Sequence, residues 1–379
     1  MIFDEAQLDD TAALEHGDPS QMLRAVASSG AQVRESAALA AEAGVGRLGD
    51  LGRPRAVVVA GMGASAIAGD VLSALAAAAG PVPVIAHRRP GLPSWVGAAD
   101  VVLAVSASGA TEETLSAAEE AVRRGAQLIA VARENSPLAV LALQSRGVAL
   151  PVAGDRPSRT SLWSLIVPAA LAGQALGLLT LPASAVEETA TALEAVSERC
   201  RPASEALLNP GKTLAAELAS GLPMVWGTSP LMAVAAARCV SALSVNAAYP
   251  AMHAELPEAG HSSIGTFDGP FGALAGGADP DDFFRDRADE GEQLRLHLLL
   301  LRDAFEHERV TARASLCEQM AVERGMTVTG LTASGRSALE QLASVIGVLD
   351  YASVYLGLGL GVDPGAAQPL AELKGRFRR

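Results

Sequence analysis

Hydroxyl-bearing side chains follow two apolar runs of this chain, each at the point where a helix-forming stretch begins. The stretches are VVVAGMGASAIAGD (57–70), with Ser65, and VVLAVSASGATEETL (101–115), with Ser106, Ser108 and Thr111. A buried strand that feeds a helix places unpaired backbone N–H groups and the positive end of the helix dipole at the loop. Hydroxyl donors at two such ends predict a binding site for a phosphate group.

Neither loop has the lysine that a nucleoside triphosphate site needs. The second loop lacks the G-x-x-x-x-G-K-[ST] pattern of a P-loop, and the whole chain has only two lysines, Lys212 and Lys374. Hydroxyls without lysine suit a phosphate carried by a neutral body, such as a sugar. The spacing of the hydroxyls at 106, 108 and 111 lets them converge on one phosphate, although the same residues could simply cap the following helix.

The first loop also fits the dinucleotide-binding pattern G-x-G-x-x-A, through Gly61, Gly63 and Ala66. That pattern expects an acidic residue about 20 positions further on, at the end of the next strand, to hold the ribose. Here the next strand ends in HRR (87–89), and arginines can hold the 2′-phosphate of NADP. An NADP-binding Rossmann enzyme therefore stays open as an alternative, as does a glycine-rich turn needed only for packing.

The elements that must position these loops alternate along the chain. The first half contains helix-forming stretches at 64–79 and 112–124. It also contains strand-like runs at 56–59, 82–86, 101–105, 127–131 and 148–152. In the second half the pattern begins again, with strands at 223–226 and 326–328, an apolar run at 294–301, and helices at 212–220, 231–245, 307–323 and 335–360. This alternation predicts an α/β fold with two domains, 1–185 and 186–379, each a parallel sheet flanked by helices in three layers.

Composition and charge exclude several classes of protein. The formal net charge of −13 disfavours nucleic acid and anionic membrane surfaces as partners. Cys200, Cys239 and Cys317 are scattered without metal-ligand or disulfide spacing, which fits a reducing cytoplasm and predicts no metal site. The acidic N-terminal stretch MIFDEAQLDD does not resemble a signal peptide. We expect a cytoplasmic protein that needs no cofactor.

Two segments stand out by composition. Residues 160–185 carry no charge and are long enough to cross a bilayer, but Pro168 and Gln174 interrupt them. Because α/β domains contain helices that are buried on several sides, we expect a core helix there, with a membrane span as the alternative.

Residues 266–290 are rich in Gly, Asp and Pro, which predicts an exposed, mobile loop that could cover a ligand.

The two loops and three further stretches resemble the sugar isomerase (SIS) domain family, in particular its bifunctional phosphoglucose/phosphomannose isomerases. GMGASAIAGD is similar to the family's GMGGSGIxGD and SASGATEET to its S-[YF]-S-G-N-T-x-E-T. The stretches SRTSL (158–162), AELPEAGHSSI (254–264) and DPGAAQPLAELKGRF (363–377) match in the same order. The resemblance implies a homodimer that interconverts glucose or mannose 6-phosphate with fructose 6-phosphate through an enediol.

The resemblance also implies roles for individual residues. It implies that Ser65, Ser106, Ser108 and Thr111 bind the phosphate, together with Gly63 of the first loop. Arg159 would stabilise the enediol, and His261 and Lys374 would open the sugar ring. The histidine is expected to reach the site from a second subunit. Without the surrounding motif, a loop histidine or a lysine in a C-terminal helix would be read as a solvated surface residue.

The chain departs from the family pattern at the catalytic base. The family's base is a glutamate in an N-E-N-A-K stretch, sixteen residues before the histidine, and Val245 stands at that position here. An isopropyl group cannot accept a proton, and losing a positioned general base costs about 10²–10⁴-fold in rate. Two hypotheses stay open. Either another carboxylate acts as the base, with Glu112, Glu113, Glu255 and Glu258 as candidates, or the chain is a non-catalytic phosphosugar-binding regulatory protein.

Overall fold

A computed structural model describes residues 3–78, 80–153, 156, 158–276, 294–366 and 368–377. Within this part of the chain, nine strands form two sheets, and every strand pairs with its neighbours in parallel. The strands are β1 (Val57–Ala60), β2 (Val84–His87), β3 (Val101–Ser106), β4 (Gln127–Arg133), β5 (Val148–Val152), β6 (Leu222–Gly227), β7 (Met252–Glu255), β8 (Leu296–Arg302) and β9 (Thr327–Thr332).

Helices precede, follow and connect these strands. They are α1 (Thr11–Gly17), α2 (Met22–Ala27), α3 (Ser29–Glu42), α4 (Ala64–Ala77), α5 (Glu112–Arg124), α6 (Pro137–Gln144), α7 (Leu162–Ala175), α8 (Ala185–Arg199), α9 (Pro210–Ala219), α10 (Pro230–Ala247), α11 (Ala259–Ser262), α12 (Glu308–Glu323), α13 (Ala338–Gly359) and α14 (Gln368–Phe377). The predicted α/β fold, with two parallel sheets flanked by helices, is confirmed.

The chain divides into two compact units, each with one sheet. The first-sheet unit comprises Ala27–Ala195 and Gly335–Ala343, and the second-sheet unit comprises Met1–Val26, Val196–Ser334 and Ser344–Arg379. Each unit gathers segments from different parts of the chain. The division of the sequence into domains at residue 185 stays a prediction.

The first-sheet unit has the strand order β2-β1-β3-β4-β5. The chain leaves β1, crosses to β2 on one side, and returns to β3 on the other side, so the direction of winding reverses between β1 and β3. Every residue of these two inner strands is buried, and Ala60 pairs with Ala104 near their carboxyl ends. In open parallel sheets, ligands bind at the carboxyl edge where the winding reverses. Both hydroxyl loops begin at this point.

The second-sheet unit repeats this plan in the order β7-β6-β8-β9, so its winding reverses between β6 and β8. Its core includes Trp226, which stacks on Phe267 with ring centroids 5.6 Å apart. The same unit contains a buried ion pair between α10 and α13, in which Arg238 Nε donates to Asp350 Oδ1 at 2.8 Å.

The uncharged segment at 160–185 forms α7, a helix of 14 residues. Nearly all of it is buried, which confirms the predicted core helix. Two other helices, α10 and α13, are long and apolar enough to span a membrane by length and composition, but 61% and 94% of their apolar windows are buried. The core helices of soluble proteins pass the same test.

Most elements, but not all of them, lie where the sequence predicts them. The predicted strand at 101–105 and helix at 112–124 correspond to β3 and α5 within a residue. Neither α6 nor β7 is predicted. Of the glycine-rich segment at 266–290, residues up to 276 include two short 3₁₀ turns, at Ile264–Asp268 and Ala273–Gly276. The rest of that segment lies outside the described residues.

Candidate functional site

The hydroxyls that follow β3 lie within hydrogen-bonding distance of one another. Ser106 Oγ is 2.9 Å from Thr111 Oγ1 and 3.4 Å from Ser108 Oγ. Ser106 is buried at the end of the strand, Thr111 is half-buried, and Ser108 is exposed. The three predicted phosphate-binding hydroxyls of this loop therefore form one cluster that is open to solvent on one side.

The loop after β1 is a tight turn that brings Ser65 to the start of α4. Ser65 N donates to Met62 O at 3.1 Å, and Gly63 has φ 57° and ψ −127°, the first central position of a type II′ turn. Such a turn favours glycine because side chains rarely adopt a positive φ. Ser65 is 6% exposed, and no described residue hydrogen bonds to its hydroxyl. That hydroxyl is thus available to a ligand.

The helices that follow the two loops begin without side-chain caps. Within the described residues, neither Gly63 at α4 nor Thr111 at α5 accepts a hydrogen bond from the first turn through its side chain. By contrast, Ser136 caps α6, Asn209 caps α9 and Ser229 caps α10. At α4, the N–H groups of Ser65 and Ala66 already donate to the carbonyl oxygens of Met62 and Gly63. At α5, the first-turn N–H groups have no acceptor among the described residues and are left for a ligand. Thr111 therefore does not act as a simple helix cap.

A neighbouring turn holds the second loop in place. Leu138 N, in the first turn of α6, donates to Gly109 O at 3.0 Å, and Gly109 has φ +63°. A Cβ atom on Gly109 would lie 1.9 Å from Ser136 Oγ. Gly109 is therefore needed for its backbone conformation and for its small size. Ser136 is a site residue that the sequence motifs did not identify.

Replacing Gly109 by alanine is expected to destabilise the first-sheet unit by about 1–3 kcal/mol through overpacking, beyond the strain of a positive φ. Gly125→Ala is the matched control, because Gly125 has φ +72° but the nearest atom to a Cβ added there, on Ala98, is 3.8 Å away. Urea denaturation of both variants measures the difference. Equal losses of unfolding free energy would show that Ser136 does not constrain the loop.

Arg159 lies at the same edge of the first sheet, but further along it. It belongs to a short 3₁₀ turn, Ser158–Thr160, that follows β5, and β4 separates β5 from β3. Gln32 Nε2 donates to Thr160 O at 2.9 Å, which ties this turn to α3. Arg159 is half-buried.

His261 and Lys374, the predicted ring-opening residues, belong to the second-sheet unit. His261 is exposed on α11, and Arg313 Nη1 lies 2.9 Å from its Nε2. Because a guanidinium can only donate, Nε2 accepts and the ring proton of neutral His261 is on Nδ1. Lys374 lies on α14, whose described neighbouring residues are exposed, and its side chain lies outside the described part of the structure.

Val245 occupies the last turn of α10, where its side chain is 37% exposed. Of the alternative bases, Glu112 and Glu113 lie in the first turn of α5, and Glu258 precedes α11. Glu255 ends β7 and is exposed, but partial desolvation of its carboxyl group raises the pKa of that group. A raised pKa is a common property of carboxyl groups that transfer protons.

The equivalent edge of the second sheet is already filled by carboxylates. After β6, the Thr228 hydroxyl lies 2.5 Å from Glu306 Oε1 and the Ser229 hydroxyl 2.5 Å from Asp303 Oδ2, while Thr311 Oγ1 donates to Glu306 Oε2 at 2.9 Å. Burial favours the neutral acid, but hydrogen bonds from Arg302, Thr228 and Thr311 outweigh it and lower the pKa of Glu306. These carboxylates occupy the place of an anion, so the first sheet carries the candidate phosphate site.

The other lysine of the chain has a structural role. Lys212 Nζ donates to the carbonyl oxygens of Pro202 and Ser204 at 2.8 and 2.7 Å and lies 3.2 Å from Asp9 Oδ1. Its side chain is fully buried in the second-sheet unit. The scarcity of lysine therefore points to a function only at Lys374.

Known proteins share the sequence motifs and the fold. A model described as the SIS domain matches residues 51–175, and one described as the bacterial phospho-glucose isomerase C-terminal SIS domain matches 207–377. A bifunctional phosphoglucose/phosphomannose isomerase from Caldicellulosiruptor bescii is 27% identical over 321 residues, which are 85% of this chain and 89% of that protein. One from Aquifex aeolicus is 26% identical over 333 residues, 87% and 92% of the two chains.

The fold is also found in a hypothetical protein from Thermus thermophilus, with a TM-score of 0.69, 15% identity, and coverage of 99% of this chain and 94% of that one. The two family models lie in the same order as the two sheets. These matches confirm the resemblance that the loop motifs indicated. The chain belongs to the SIS domain family of phosphosugar isomerases, with one SIS domain in each half of its sequence.

Proposed function

We propose that this chain binds a hexose 6-phosphate at the carboxyl edge of its first sheet, with the phosphate held by Ser65, Ser106, Ser108 and Thr111. The observation that carries this proposal is a cluster of hydroxyls before the uncapped start of α5, at the point where the winding of the sheet reverses. The unbonded hydroxyl of Ser65 lies on the neighbouring loop. Backbone N–H groups and hydroxyls there are donors that suit a dianion.

The reaction that we assign is interconversion of glucose or mannose 6-phosphate with fructose 6-phosphate. The proton moves between C1 and C2 through an enediol, whose negative charge Arg159 would stabilise. His261 and Lys374 would open the sugar ring, His261 from the partner subunit of a homodimer. With Val245 in place of a glutamate base, we expect turnover to be slow. A light-scattering mass near 38.6 kDa, the mass of one chain, would refute the shared site.

A second candidate function is phosphosugar binding without turnover, as in a regulatory protein of the cytoplasm. Val245 favours it, because the chain retains the phosphate loops and lacks the family's base. A coupled assay for fructose 6-phosphate formation separates the two functions. Binding without any turnover above the uncatalysed rate would identify a binding protein. The NADP-binding alternative predicts instead that titration with NADPH changes nicotinamide fluorescence.

Hexose 6-phosphate at millimolar concentration is expected to raise the melting temperature, because a ligand that binds only the native state stabilises it. Ser106→Ala removes a hydroxyl that would donate to a charged group, so we expect affinity to fall about 10- to 150-fold, from the 1.5–3 kcal/mol of such a hydrogen bond. Ser145→Ala is the matched control, because its hydroxyl donates to Ala142 O at the opposite edge of the same sheet. No thermal shift in the wild type, or equal affinities in both variants, would contradict the site.

A further inference from the structure

A pocket of about 550 Å³ opens at the carboxyl end of β2, the strand next to β1. It is lined by one segment of the chain, residues 86–93, which includes His87, Arg88, Arg89, Leu92 and Pro93. Two arginines in one pocket are notable in a chain with a net charge of −13. The function proposed above does not use this pocket.

The two arginines differ in their contacts. Arg88 pairs with Asp70 of α4, which fixes its guanidinium beside the helix that begins at the first hydroxyl loop. Arg89 is exposed and makes no hydrogen bond or ion pair with any described residue. One guanidinium is thus held in place, and the other has all five N–H donors available to a ligand.

The second half of this segment, residues 91–93, is held by α5. Leu92 N donates to Glu120 Oε2 at 2.6 Å, and Gly91 N donates to Ser116 Oγ at 3.2 Å. Arg124 Nη1 donates to Pro93 O at 2.6 Å. Because three side chains of one helix fix the backbone of this segment, a ligand has to order the Arg89 side chain but not the segment itself.

The pocket adjoins the first hydroxyl loop. Gly61 N donates to His87 O at 3.1 Å, and Ala60 pairs with His87 across β1 and β2. Neighbouring strands are about 4.8 Å apart, so a small molecule with a phosphate at the hydroxyl loops can extend into the pocket.

We propose that this pocket is a second phosphate subsite, so that the site accepts ligands with two phosphate groups, one at the hydroxyl loops and one at Arg88 and Arg89. The proposal rests on the phosphate site of the proposed function. Guanidinium groups bind phosphate through paired hydrogen bonds, which suits this role. The second phosphate could belong to a hexose bisphosphate or to a nucleotide with a 2′-phosphate, and both present the same group.

Isothermal titration calorimetry tests the proposal on the full chain with glucose 6-phosphate, glucose 1,6-bisphosphate and adenosine 2′,5′-bisphosphate. We expect at least one bisphosphate to bind about tenfold or more tightly than glucose 6-phosphate. Arg89→Gln should remove that gain and leave the affinity for glucose 6-phosphate unchanged. Arg146→Gln is the matched control, because Arg146 precedes β5 at the opposite edge of the sheet. It should keep the gain.

The outcomes separate the two proposals. Binding of glucose 6-phosphate with no gain for either bisphosphate refutes the second subsite and leaves the proposed function intact. A gain that Arg89→Gln does not reduce also refutes it. If glucose 6-phosphate does not bind but a bisphosphate does, in a manner that depends on Arg89, the proposed function fails and the subsite stands. The tighter of the two bisphosphates identifies the source of the second phosphate.

Discussion

Replacing Val245 by glutamate is expected to raise aldose–ketose isomerase activity by about 10²–10⁴-fold, the usual contribution of a positioned general base. The side chain is 37% exposed on the last turn of α10, so a carboxylate there keeps contact with water and requires no repacking of the core. Glutamate also favours a helix more than valine does. The measurement is the rate of fructose 6-phosphate formation from glucose or mannose 6-phosphate, with folding checked by circular dichroism.

Val245→Gln is the matched control, since an amide has nearly the same shape as the carboxylate and cannot act as a base at neutral pH. It should leave activity at the wild-type level. If the glutamate variant folds and is no more active than the glutamine variant, position 245 does not receive the substrate proton. Glu255→Gln would then be the informative change, because partial desolvation raises the pKa of the Glu255 carboxyl group.

Removing the Arg238 side chain is expected to destabilise the second-sheet unit by about 3–5 kcal/mol, the usual cost of leaving one partner of a buried ion pair alone. Arg238→Met keeps most of the volume but leaves the Asp350 carboxylate buried without its cation. Arg201→Met is the control, since the Arg201–Glu198 pair is exposed and such pairs contribute about 0–1 kcal/mol. Urea denaturation followed by circular dichroism measures both losses.

The loss in Arg238→Met is expected to depend on pH. Burial already raises the pKa of Asp350 in the wild type, and removing the arginine raises it further. A group whose pKa is higher in the folded state favours folding at low pH, and this stabilisation disappears as the pH rises through the folded-state value. The variant should therefore approach wild-type stability as the pH falls. A pH-independent loss would show that packing, not charge, is what Arg238 contributes.

The sequence is sufficient to locate the two hydroxyl loops because each follows a local signal. The inner strands β1 and β3 are unbroken apolar runs, and the hydroxyls follow each run directly. The two loops are brought together because the winding of the sheet reverses between their strands. The alternation of strands and helices predicts a parallel sheet but does not give the order of its strands. The structure adds the order β2-β1-β3, and with it the reason that the two loops are neighbours.

The features that were missed depend on contacts between distant parts of the sequence. Ser136 lies 27 residues from Gly109, and nothing local indicates that the two meet. The start of α6 does carry a local signal, a serine cap followed by Pro137, but its eight residues are too short for a clear helical period. The carboxylates of Asp303 and Glu306 join hydroxyls more than 70 positions away, a pairing that no motif reveals.

The burial of Lys212 has a practical consequence for following the opening of this protein. An acylating reagent reacts only with an accessible amine. The amine of Lys212 is buried and donates hydrogen bonds to two backbone carbonyl oxygens. Acylation there requires that part of the second-sheet unit transiently unfold, so its rate measures the free energy of that opening, as hydrogen exchange does for amides. Because the chain has only one other lysine, the rate can be followed as the mass increase of the one peptide that contains Lys212.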